Sequence, residues 1–180
     1  VHVRAKDFKK LLGKKTGLGF MPGAGEHDRY FLNSVETHTG YLLSDILYGK
    51  KVKYVLDPLT KQLERFKVLL GRKVARVEFD KGKEFMGDVT KMLDAKKIRY
   101  VRKVTNAIVE SKTANTQRNC WAVVVQTRTG FADRVEQDVK ITKNTLNRTT
   151  GLTPLRAMTL IRQGKVGPYK RRAPAPAKLK

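Results

Sequence analysis

The chain has 180 residues, with 39 Lys and Arg against 16 Asp and Glu and a net charge of +23. This length suits one domain with extensions, and 40% apolar residues can fill a core without disulfide staples. The longest apolar run, Trp121–Val125, is too short to span a bilayer, and the basic residues follow no single amphipathic stripe that would favour a membrane surface.

Charge is the strongest compositional signal. Solubility asks for a net charge of only roughly 2–8, and an excess of +23 repels itself in a free compact protein. A polyanionic partner resolves this, because each neutralised phosphate releases counterions. The single cysteine, Cys120, cannot form an internal disulfide and is expected as a reduced thiol. His2, His27 and His38 are scattered, so neither a zinc cluster nor any other cofactor site is expected. The chain opens at Val1, as it would after removal of an organellar presequence or other trimming.

Residues 1–15 form a basic extension, and the glycines at 17, 19, 23 and 25 with Pro22 mark a loop-rich stretch. Arg29–Val35 and Gly40–Leu47 read as an antiparallel hairpin around Glu36-Thr-His-Thr. Val52, Val55, Leu56, Leu59, Leu63, Phe66 and Leu70 recur at helical spacing. Asp57-Pro58 either starts that helix or kinks it, and Gly71 ends it. A strand is expected over Lys73–Phe79, a helix over Glu84–Lys96 and a strand over Ile98–Val104. Helices follow over 106–128, 131–146 and 154–162. The hairpin followed by crossovers predicts an α/β sheet with helices packed on it. The tail Tyr169–Lys180, rich in Pro, Ala and Lys, has nothing to bury and is expected to order only on a partner.

Four segments carry a resemblance. Arg29–Tyr41 resembles the second and third strands of retroviral and LTR-retrotransposon integrase cores. Phe79-Asp-Lys-Gly-Lys-Glu-Phe85 is similar to their D-x-G-x-E-F signature, and Asn106-Ala-Ile-Val-Glu110 to the N-G-x-x-E motif that opens their long helix. Asn147 through Thr153-Pro154-Leu155 is similar to their N-x…-G-x-T-P segment. The resemblance implies an RNase H-like domain over residues 16–168, with a mixed five-stranded sheet flanked by helices. The basic extension 1–15 precedes it and the tail 169–180 follows.

Members of that family cut phosphodiesters with two divalent metal ions held by carboxylates from separate elements. Asp80 matches the second acidic position and Glu110 the third. The first falls on Thr16, whose neutral hydroxyl cannot supply a bridging charge. Twenty-nine residues lie between Asp80 and Glu110, fewer than the family's usual interval, and the Pro- and Gln-bearing loop before the helix is missing. Asp7, Asp28 and Asp45 are the conceivable substitutes, but none falls where the strand alignment requires. Asp80 can equally serve as a turn residue beside Gly82, and Glu110 as a first-turn helix carboxylate. The expectation is a relic of a two-metal polynucleotidyl transferase that holds no metal.

What survives is a fold decorated with cations. Candidate nucleic-acid contacts are Lys9, Lys10, Lys14 and Lys15; Lys96, Lys97, Arg99, Arg102 and Lys103; and Lys170, Arg171, Arg172, Lys178 and Lys180. Phe20, Tyr30, Tyr41 and Tyr48 are expected to pack in core or loops rather than stack on bases. Such a protein would read shape and backbone. A domesticated integrase fold bound to rRNA beside other proteins of a mitochondrial ribosome fits these features, without membrane or small-molecule partners. A cytoplasmic or nuclear location is the alternative. The competing functions are an active metal-dependent integrase or transposase, and a DNA-binding accessory.

Overall fold

The computed structural model describes residues 18–20, 30–104, 106–127, 131–147 and 150–165. Strands β1 (Leu18–Phe20), β2 (Tyr30–Val35) and β3 (Leu42–Leu47) form an antiparallel sheet in that order. The β2–β3 hairpin runs from Tyr30↔Leu47 to Val35↔Leu42, the antiparallel hairpin expected around Glu36-Thr-His-Thr. Glu36 anchors its turn. The carboxylate accepts the backbone N–H groups of His38 (3.1 Å) and Thr39 (2.7 Å) and the Thr39 hydroxyl (2.7 Å). Burial pushes the Glu36 carboxyl up, but the hydrogen bonds from Thr39 and His38 outweigh it and hold the group below its ordinary 4.5.

Helix α1 (Val52–Leu70) does not start at Asp57-Pro58; it starts after Lys51 and carries Pro58 inside. An interior proline costs about 3 kcal/mol. Val55, Leu59, Leu63 and Phe66, all buried on one face, offset that at roughly 1.5–3 kcal/mol each. Gly71 closes the helix at φ +66, donating its N–H to Val68 O.

Strands β4 (Arg76–Phe79) and β5 (Arg99–Arg102) are parallel, paired from Arg76↔Arg99 to Phe79↔Arg102. Helix α2 (Asp88–Ala95) connects them after a short 3-10 turn, Lys83–Phe85. The single helix expected over 84–96 is thus divided, because Gly87 adopts φ +60 between its halves. Both strands are shorter than expected, since pairing is confined to four residues each. Helices α3 (Ala107–Thr127), α4 (Phe131–Asn144) and α5 (Pro154–Arg162) complete the chain. Thr153 caps α5, its hydroxyl accepting Arg156 N–H at 3.2 Å, with Pro154 in the first turn.

The expected five-stranded sheet is therefore not a single ladder. Three antiparallel and two parallel strands form separate hydrogen-bonded sheets, and no ladder joins them among the described residues. The short β1, three residues long, carries too little periodicity to be read as a strand from sequence.

Helices cover both faces of the hairpin. Leu32 and Leu47 point into a core with Val55, Leu59 and Leu63 of α1 and Val89 and Leu93 of α2. The alternate residues Phe31 and Leu42 point into a second core with Cys120 of α3 and Val135 and Val139 of α4. Tyr41, Leu43, Phe66 and Met158 join α5 to α1 at one end. This two-sided burial follows from the period of two along a strand.

Leu93→Ala, which empties a fully buried position of α2, should lower unfolding free energy by about 2–5 kcal/mol in urea titration. Because the folded-state pKa of Glu36 is depressed, the stability it contributes is complete above pH 4.5 and lost as pH falls through the folded value. Glu36→Gln should therefore lower the melting temperature at pH 7 and flatten its decline below pH 4.5, measured by thermal melts across pH.

Candidate functional site

The segment after β4 and the start of α3 bring the two matched carboxylates to one place. Asp80 follows the last residue of β4 and Glu110 lies in the first turn of α3. Both line a cavity of about 490 Å³ between β2 and β4, floored by Leu59, Leu63 and Phe66 of α1. Leu32, which lines the same cavity, pairs with Leu18 of β1. Thr16, the third matched position, lies outside the described residues, as do Asp7 and Asp28.

Each carboxylate has local work. Asp80 Oδ1 accepts the backbone N–H of Gly82 at 3.0 Å. A Cβ on Gly82 would stand 2.9 Å from that oxygen and 2.7 Å from the Glu84 carboxyl, so a larger residue there would require these two side chains to shift. Glu110 Oε1 accepts the backbone N–H of Asn106 at 3.1 Å, satisfying a donor just ahead of α3. Asn106 in turn donates Nδ2 to Glu78 O at 3.1 Å, tying the head of α3 to β4. A third carboxylate, Glu78, also lines the cavity but pairs with Arg76 (2.7 Å) and Lys103 (2.5 Å). The Lys103 ammonium, helped by Arg76, holds the Glu78 carboxyl below its ordinary range.

A pair of Mg²⁺ ions needs a cluster of unneutralised oxygen donors. Among the described residues no group of three His, Cys, Asp or Glu is placed to hold a metal ion. Of the other described carboxylates, Glu78 is charge-compensated by Arg76 and Lys103, and Asp45 contacts Gln62 (2.6 Å) and Arg65 (3.6 Å) of α1.

The cationic stretch 96–103 divides. Lys96 pairs with Glu64 (2.8 Å), Lys103 pairs with Glu78, and Arg102 Nη2 donates to Lys81 O at 3.3 Å. Lys97 and Arg99 are exposed, with no ion pair among the described residues. Lys9, Lys10, Lys14, Lys15, Lys170, Arg171, Arg172, Lys178 and Lys180 lie outside the described residues. His38 is exposed with Nδ1 3.0 Å from Glu36. No helix of the described residues is long and apolar enough to cross a membrane.

The tyrosines correct the uniform expectation of packing. Tyr41 is buried edge-on against Phe66, and Tyr30 is half-buried under the Lys50 ammonium. Tyr48 is 70% exposed. Sequence reasoning also missed the polar ties inside the fold. Asn33 Nδ2 donates to Thr113 Oγ1 (3.0 Å) between β2 and α3. Thr116 and Asn119 of α3 donate to Asp138 of α4 at 2.7 and 2.8 Å. Beside them Cys120 is buried, and burial, then the Asp138 charge, push its thiol up to about 12, so it is no thiolate nucleophile at neutral pH. Isolated polar residues on helices give no periodic signal of such pairing.

No family model and no curated protein matches the chain. Among solved structures, the HTLV-2 integrase catalytic core domain in complex with magnesium, in its trimeric form, is similar. The match has 10% sequence identity and a TM-score of 0.59, and covers 77% of this chain and 88% of that one. At this identity the likeness concerns the fold alone: the chain has an integrase-like, RNase H-like α/β fold.

If Glu110 serves α3 as a cap, Glu110→Ala should cost about 1–2 kcal/mol in urea titration. Asp80→Asn, which keeps an acceptor for Gly82 N–H, should stay within about 0.5 kcal/mol of the parent.

Proposed function

We propose that this protein is a structural component of a ribonucleoprotein, built on an integrase-like fold that no longer performs strand transfer. The observation that carries this reading is the net charge of +23, which calls for a phosphate-rich partner. The local engagement of Asp80 and Glu110 and the threonine at position 16 support the loss of two-metal chemistry. Bound RNA is held through phosphate and shape, by the basic extension 1–15, the cations of 96–103 and the tail 169–180. A mitochondrial ribosome is the particle we favour, with rRNA and neighbouring ribosomal proteins as partners.

A second reading, metal-dependent DNA strand transfer, draws on Asp80 and Glu110 lining one cavity and on the magnesium complex of the similar core domain. The two separate experimentally. The purified chain should bind RNA with a steep salt dependence, log Kd rising by roughly 0.7–0.9 per phosphate contact for each tenfold rise in salt. It should leave labelled DNA uncut in Mg²⁺ or Mn²⁺. Removal of residues 169–180 should weaken RNA binding and lower that slope. Metal-dependent cleavage, abolished by Asp80→Asn, would replace the first reading with the second.

A further inference from the structure

The connection from β3 to α1 and the first residues of that helix read Tyr48-Gly-Lys-Lys-Val-Lys-Tyr54, and the chain has no acidic residue between Asp45 and Asp57. Asp45 is taken up by Gln62 and Arg65. Lys50, Lys51 and Lys53 consequently have no ion pair among the described residues, whereas Lys67, Lys91, Lys96, Lys103 and Lys140 each have one. Two of the three sit on rings instead: the Lys50 ammonium lies 5.0 Å from the Tyr30 ring centre, and that of Lys53 lies 4.7 Å from Tyr54. Tyr30 is anchored in β2, and Tyr54 lies close over Gly49, where a Cβ would be 3.0 Å from its ring carbons. The Lys50 and Lys53 heads are thereby steadied on rings fixed to the body of the protein, with no carboxylate partner among the described residues.

Tyr48 stands beside them with 70% of its surface open. Every other aromatic side chain described is buried or half-buried. A single exposed aromatic needs no explanation. Beside three ammonium groups that have no ion pair among the described residues, however, it forms the pairing that single-stranded nucleic acid uses: a ring for a base face and cations for the flanking phosphates. A duplex hides its base faces inside the stack, so this pairing suits unpaired nucleotides. A membrane surface would want an apolar face around the ring, and the neighbouring positions 50, 51 and 53 are lysines.

We infer that Tyr48, with Lys50, Lys51 and Lys53, is a binding site for an unpaired segment of RNA, stacking one base on the Tyr48 ring. This rests on the ribonucleoprotein reading and adds to it a contact with a base, where shape and backbone alone were expected.

The test uses the full chain and fluorescence anisotropy with a labelled 12-nucleotide oligouridine and a 12-base-pair RNA duplex. Tyr48→Ala should weaken oligouridine binding by roughly 5- to 100-fold and leave duplex binding within twofold. Tyr48→Phe, which keeps the ring, should restore most of the loss and exclude misfolding as its cause. Replacing the three lysines by glutamine should lower the salt slope for oligouridine by about 2. Binding of both RNAs by the parent with no effect of Tyr48→Ala would overturn this site and leave the ribonucleoprotein reading standing. Failure of the parent to bind either RNA would overturn both. Tyr48-dependent binding to anionic lipid vesicles in place of oligouridine would overturn the assignment to RNA.

Discussion

Phe31 and Leu32 are adjacent in β2 and both are buried, but in opposite directions. One enters the core shared with α3 and α4, the other the core shared with α1 and α2. A strand can do this only if helices cover both faces of its sheet, and the rest of the architecture answers that requirement. Asn33 repeats it in polar form, reaching Thr113 of α3 from the same face as Phe31. On the opposite face Gln62, fully buried in α1, donates to the backbone oxygen of Leu32 at 3.1 Å and to Asp45. A one-residue slip of β2 would exchange the two faces and strand these groups without partners.

The cavity between β2 and β4 is where fold and chemistry meet. Glu78, Asp80 and Glu110, from separate parts of the chain, line it together. Here the acids that line it also serve the structure: Asp80 the turn to Gly82, Glu110 the entry to α3, Glu78 the pairing with Arg76 and Lys103. A carboxylate already answered by backbone N–H groups or ammonium ions has less charge to offer a metal. The same residues can thus persist in a sequence for reasons of stability. Their presence alone does not measure catalytic capacity.

The positive charge is unevenly compensated. Along α1, α2 and α4 lysines meet carboxylates on their own or neighbouring helices, and such exposed pairs contribute little, at roughly 0–1 kcal/mol each. Around the start of α1, Lys50 and Lys53 meet rings instead. The net charge of +23 therefore has local texture, and the places where cations lack anions are the places where a polyanion gains most.

Much of this was legible in one dimension. Two strand-like segments around Glu36-Thr-His-Thr located the β2–β3 hairpin, the 3.6-residue spacing located α1, and α5 spans the 154–162 expected for it, because each signal lies within a few residues. The motifs around Asp80 and Glu110 indicated the fold, and the comparison with a solved core domain supports that indication at the level of fold. Tertiary structure alone decided the rest. It carried α1 through Pro58, because four buried side chains outweigh one lost backbone bond. It divided the sheet into ladders of three and two strands, since pairing depends on which edges meet in space. It also left Tyr48 in solvent while burying Tyr41, two tyrosines that composition cannot distinguish, because exposure depends on what lies across from a side chain rather than beside it in sequence.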